Sequence, residues 1–237
     1  MAHSCGARGE DRVPTRAPPP RRPGNDRMRL YDYSHSAGAY RVRIALRLKG
    51  IGYEQVPVNL RQGAQRTLDY LAHNPQGLVP TLVDGDDSVT QSLAIIEWLD
   101  ELQPEPPLLP ADPLARATVR SLALHIVSDI QPLTSLRVVQ HLQHRLGHEE
   151  RELSGWRRHW INEGLTSLER RLAPVAGVYA YGDRVTLADL CLVPQLYHAR
   201  RYHCDLLPFP VIRRVDAACL ELAAFADSRP ERQPDAA

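Results

Sequence analysis

Between Leu30 and Val58 the hydrophobic pattern changes period twice, and no other stretch constrains the fold as much. The apolar run LYDY gives way to the helical run YRVRIALRLK, which stops at Gly50 and is followed by the extended run YEQVPV. The spacing predicts a strand over Leu30–Tyr33, a helix over Tyr40–Lys49 and a strand over Tyr53–Val58. A strand, helix and strand this close together must form a right-handed crossover between parallel strands. A short helix over 66–72 is expected next, and then LVPTLVDGDDSVT, where Asp84–Asp87 makes a Gly-containing turn between two antiparallel strands. The unit closes with a helix from Ser92 to Leu102, with Leu93, Ile96, Leu99 and Leu102 along one stripe.

The segment QPEPPLLPADP then places five prolines between Gln103 and Pro113, which end the helix and stiffen the connection. This divides the chain into a first unit over 28–104, a linker over 105–113 and a second unit over 114–237. Stretches 114–146, 149–172, 186–203 and 211–226 repeat apolar residues every three or four positions, and no strand pattern intervenes. Thr186 and Asp189 form a capping-box variant at the start of LADLCLVPQL, a run apolar on most sides and expected to be a buried helix kinked at Pro194.

Composition excludes several classes. The 29 basic residues nearly cancel the 28 acidic ones, so no whole-chain attraction to nucleic acid or an anionic membrane is expected. No apolar run approaches the length of a membrane span, and none follows the N-terminus as a secretory signal requires, which points to the cytoplasm. Cys5, Cys191, Cys204 and Cys219 are scattered without metal-ligand spacing, as reduced thiols would be, and Cys191 and Cys204 are expected to be buried. Residues 1–27 hold five prolines and six arginines but few large apolar side chains, and read as a disordered extension ahead of Met28, itself a candidate start. His141, His144 and His148 share one polar helix face, better explained by solvation than by a metal site. Trp156 and Trp160 form a core or interface stripe in the second unit.

The junction SHSAGAYRVR carries the chemistry. Ser36, Ala37 and Gly38 stand where a strand becomes a helix, and a helix start offers unpaired N–H groups and partial positive charge to an anion. Small residues let that anion come close. On these grounds alone Ser36 is either a plain helix cap or a group that acts on the ligand.

The first unit resembles a thioredoxin-like α/β domain, and its union with an all-α second unit is the plan of cytosolic glutathione transferases. The segments SHSAGAYRVRIAL, NPQGLVPTL, QSLAIIEWLDE, LLPADP, GDRVTLADLCLVPQ and the ending RQPD resemble the zeta class, which includes maleylacetoacetate and maleylpyruvate isomerases. The resemblance implies glutathione as cofactor, a small dicarboxylate as substrate and a homodimer, with no nucleic acid or membrane partner. It places the γ-glutamyl end of glutathione on Gln91 and Ser92, a backbone pairing at Val79 before a cis Pro80, a contact to the glycyl end at Gln65, and a further cofactor contact at Gln131. Ser92 would cap its helix in any case.

Relatives commonly read close to SSCSxRVR where this chain reads SAGAYRVR, so Ser36 is the one hydroxyl left in the turn, able to hydrogen-bond a glutathione thiolate. The resemblance gives catalytic roles to Ser36, Arg41 and Arg201, and substrate contacts to Arg201, Arg137 and His35, the last standing where relatives often carry arginine. It implies a cis–trans isomerase that adds a thiolate to a conjugated cis double bond and expels it after rotation. Two alternatives stay open: a glutathione transferase or peroxidase acting on other electrophiles, and an inactive glutathione-fold binding module suggested by the depleted turn.

Overall fold

The computed structural model describes residues 28–236, and the extension over 1–27 lies outside them. Four strands form one sheet: β1 (Met28–Asp32), β2 (Glu54–Pro57), β3 (Thr81–Asp84) and β4 (Asp87–Thr90), in the order β2-β1-β3-β4. β1 runs parallel to β2, with Tyr31 opposite Val56, and antiparallel to β3, with Leu30 opposite Leu82. The β3–β4 hairpin turns at Gly85 and Asp86, as the sequence predicts.

α1 (Ala37–Leu48) crosses from β1 to β2, and α2 (Leu68–His73) lies in the connection to β3. α3 (Ser92–Leu102) packs against α1, and its buried stripe is Ile95, Ile96 and Leu99, whereas Leu93 and Leu102 are partly exposed. Ile95 and Leu102 are seven residues apart and share one face at 100° per residue, and the covered one is Ile95, since Leu102 is the last residue of the helix.

The rest of the chain is helical: α4 (Pro113–Leu124), α5 (Gln131–Thr134), α6 (Leu136–Leu146), α7 (Glu150–Leu172), α8 (Leu187–Arg201), α9 (Pro210–Leu220) and α10 (Ala223–Ala226). The stretch over 114–146, continuous by its apolar spacing, is broken twice. A π-helical turn spans His125–Ile130, and Ser135 adopts an extended conformation before α6. Pro132 lacks the N–H that a continuous helix needs. Against the π-turn, α7 approaches so closely that a Cβ on Gly164 would lie 2.3 Å from Ile130 Cγ1. α8 begins in the predicted capping box, with Asp189 accepting from Thr186 N–H at 2.7 Å and from the Thr186 hydroxyl at 2.9 Å, and it continues through Pro194. Cys191 is buried, but Cys204 is only half-buried.

α1 is the shared wall of the two parts. Nine of its residues are buried, and it packs against both α3 and α8. On it, Arg43 meets Asp32 at the end of β1, with both side chains fully buried and 2.7 Å apart. Arg43 also donates to Ser34 O at 3.0 Å and to Ser228 O at 3.1 Å. Arg43→Met would leave the Asp32 carboxylate buried without its cation, which typically costs about 3–5 kcal/mol. The urea midpoint should drop accordingly, and a change under about 1 kcal/mol would mean that water or Gln55 takes over the pairing.

Candidate active site

A cavity of about 580 Å³ opens between the sheet and the helical region. Its wall includes every site residue singled out from the sequence: His35, Ser36, Arg41, Gln65, Val79, Gln91, Ser92, Gln131, Arg137 and Arg201. Among the described residues, six arginines line it, at positions 41, 61, 66, 137, 157 and 201, and no Asp or Glu does. The whole chain has a formal net charge of only +1, so positive charge is concentrated here. A more open recess next to it shares Arg61, Arg66 and Arg137 and adds His141, His144 and Arg145. No group of three potential metal ligands occurs among the described residues.

Ser36 is the N-cap of α1, and its Oγ accepts from Ala39 N–H at 3.2 Å. A hydroxyl that accepts from the backbone keeps its own hydrogen to donate, so capping and ligand contact are compatible roles. Gly38 sits against the cis Val79–Pro80 bond, where an added Cβ would lie 3.0 Å from Pro80 Cδ. A side chain at that point, such as the cysteine of the family pattern, requires Pro80 to give way.

The turn before Ser36 is held at four of its backbone groups. Ser34 N–H donates to Asp235 Oδ2 at 2.9 Å, Ser34 O accepts from Arg43, His35 O accepts from His198 Nε2 at 3.0 Å, and Ser36 N–H donates to Tyr33 O at 2.8 Å. Because the partner is a carbonyl, His198 must carry its proton on Nε2. Burial, opposed by the His35 carbonyl and aided by Arg201, pushes the His198 pKa down to about 4. His35 is likewise held below its ordinary range by burial and by Arg201 and Arg61, so its ring is neutral at pH 7 and adds no charge to the cavity.

On the opposite wall, Gln91 is the N-cap of α3 with φ 68° and ψ 112°, and Ser92 is the first helical residue rather than the cap expected for it. A left-handed φ at a non-glycine residue costs on the order of 1–3 kcal/mol and is characteristic of ligand sites. The Gln91 side chain donates to Gln76 Oε1 at 2.9 Å. Asn74 braces the loop carrying Val79, donating to Leu78 O at 2.7 Å and to Thr81 Oγ1 at 3.1 Å. Arg41 is buried and donates to Ser92 Oγ at 2.9 Å and to Gln131 Oε1. Gln65 donates weakly to Leu60 O at 3.4 Å, and its Oε1 is buried without a partner.

Sequence reasoning missed Asn74, His198 and Asp235. The one signal for His198 was its spacing, three residues before Arg201 and so on the same face of α8. Nothing local marks Asp235 as a partner of Ser34, 201 residues away.

The profile of the glutathione S-transferase N-terminal domain matches residues 30–107. Maleylacetoacetate isomerase of Rhizobium meliloti is 46% identical over 204 residues, covering 86% of this chain and 96% of that protein. A holo structure of a bacterial zeta-class maleylpyruvate isomerase superposes with a TM-score of 0.86 at 45% identity, covering 88% of this chain and all of that one. The chain belongs to the zeta-class glutathione transferases. Another zeta-class relative in structure, maleylacetoacetate isomerase of Anaeromyxobacter dehalogenans, has a TM-score of 0.80 at 43% identity over 89% of this chain and 98% of its own. It holds dicarboxyethyl glutathione and citrate in its active site.

The histidine at the turn of this zeta-class chain gives a pH test. With a folded pKa near 4 and an unfolded value near 6.5, His198 binds protons more readily in the unfolded chain. Its contribution is therefore complete above pH 6.5 and lost as pH falls toward 4. His198→Asn keeps a donor for His35 O but does not titrate, so the urea midpoint should decline less between pH 7 and pH 4.5 than in the wild type. Asp189, pushed up to about 6 by burial, acts in the opposite sense in both proteins and cancels in the comparison. Equal slopes would show that His198 does not carry this dependence.

Proposed function

We propose that this protein is a glutathione-dependent cis–trans isomerase of maleyl keto acids, with maleylacetoacetate and maleylpyruvate as the candidate substrates. The observation that carries the reading is the cavity itself: a helix N-terminus with one hydroxyl, Ser36, faces a wall of arginines without a carboxylate. That is a site for anions: a thiolate at the helix end and carboxylates beyond it. Glutathione lies along the sheet edge, with its γ-glutamyl end on Gln91, Ser92 and Gln131, its backbone against Val79 and its glycyl end near Gln65. The Ser36 hydroxyl donates to its sulfur and favours thiolate over thiol. Arg201 and Arg137 receive the substrate carboxylates.

The thiolate sulfur then forms a C–S bond at one carbon of the cis double bond, and the displaced electron pair moves through the conjugated system to the carbonyl oxygen. Rotation about the new single bond follows. Collapse of the enolate restores the double bond in the trans form and expels the thiolate, so glutathione is not consumed. The working form in this reading is a homodimer in the cytoplasm.

Absorbance assays of both keto acids with and without glutathione test the activity, and turnover that consumes glutathione stoichiometrically would favour a conjugating transferase instead. Ser36→Ala should leave glutathione bound but raise its thiol pKa, lowering the rate near neutral pH by about one to two orders of magnitude. An unchanged thiol titration would mean that the helix terminus alone activates the sulfur. Arg201→Ala should instead raise KM for the keto acid and weaken the dependence of kcat/KM on salt, with the thiol titration unaltered.

A further inference from the structure

Arg41 is 1% exposed, yet it forms no ion pair among the described residues. A buried arginine normally sits against a carboxylate, as Arg43 does two residues further along the same helix. Arg41 instead donates one terminal nitrogen to Ser92 Oγ at 2.9 Å and the other to Gln131 Oε1, and its Nε is buried without a partner. These two acceptors come from different parts of the fold: Ser92 from the start of α3 beside the sheet, Gln131 from the start of α5 after the π-turn. Both line the cavity.

A guanidinium has only donors, so whatever it binds must act as an acceptor toward it. That fixes what each partner has left. With its oxygen engaged by Arg41, Ser92 keeps its hydroxyl hydrogen. With Oε1 held by Arg41, Gln131 keeps its Nε2 donors, and that nitrogen is buried with no partner among the described residues. Without Arg41 the serine rotor and the glutamine amide are free to turn an oxygen toward the cavity, where it would repel an anion.

We propose that Arg41 is a positioning residue that sets the hydrogen-bond polarity of the cavity's carboxylate site, holding Ser92 and Gln131 as donors to a bound carboxylate, and that its charge gains a counter-charge only when that anion arrives. The assignment rests on the reading that the cavity binds glutathione. It differs from a catalytic contact, since Arg41 acts through the two side chains in front of it. It also predicts opposite effects on the empty and the loaded protein. Removing an uncompensated buried cation does not harm the empty fold, whereas the carboxylate site loses its organisation.

The test is a mutant cycle on the full chain, read by titration calorimetry with glutathione and by thermal melting. Arg41→Met should melt no lower than wild type when empty and bind glutathione about 10- to 100-fold more weakly. Its KM for glutathione should rise more than its kcat at saturation falls. In a Ser92→Ala, Gln131→Ala background the same replacement should cost several-fold less affinity than it does in the wild type, because only the bare charge of Arg41 is left to act. Arg41→Lys, which keeps the charge but cannot hold both partners at once, should bind about tenfold more weakly than wild type and covers the case in which the methionine variant fails to fold. A full additional loss of affinity in the double-mutant background, or lysine binding as tightly as arginine, would overturn the assignment while leaving the functional reading intact. Wild-type protein that does not bind glutathione would overturn the functional reading, and this assignment with it.

Discussion

The buried pair between Asp32 and Arg43 ties together the end of the first strand, the first helix, the active-site turn and the C-terminal segment. All three guanidinium nitrogens are used: one on Asp32, one on Ser34 O and one on Ser228 O. Gln55 from β2 adds a donor to the same carboxylate at 2.7 Å. A pair of this kind adds little net stability compared with apolar residues, because desolvation offsets most of the attraction. What it supplies is direction. A planar fork with fixed donor angles permits one arrangement of its acceptors, and here those acceptors fix the end of β1 and the turn before Ser36 to the C-terminal segment.

The two neighbouring arginines of the RVR motif do opposite work from the same helix. Arg43 is neutralised within the protein and organises backbone, while Arg41 is left without a carboxylate and faces the side chains at the cavity wall. Position along α1 explains the difference. Residues two apart on a helix point about 200° away from each other, so one reaches the end of β1 and the other reaches α3 and α5.

Periodicity and turn chemistry made most of the architecture legible. The crossover, the hairpin, the span of α3 and the Thr186–Asp189 box each follow from local rules that tertiary packing reinforces. The break in 114–146 did not, because apolar spacing continues through it. What interrupts the helix is Pro132 together with the close approach of Gly164, a contact made by a helix later in the chain. At the site, the residues carried by resemblance do line one cavity. The partners that hold them in place were invisible because they act across long sequence separations: His198 on His35 O and Asp235 on Ser34. Nor could a sequence show that Ser36 caps and remains a donor at once, since that depends on which lone pair the backbone takes.

The clasp of Asp235 on Ser34 also orders events during synthesis. The strands and helices of the first unit emerge early in synthesis. The turn before Ser36, however, is held by Asp235, separated from it by most of the chain. A chain with a folded sheet can therefore still lack an organised helix entrance until Asp235 is in place. Asp235 thus acts as a latch on the turn without itself belonging to the apolar core.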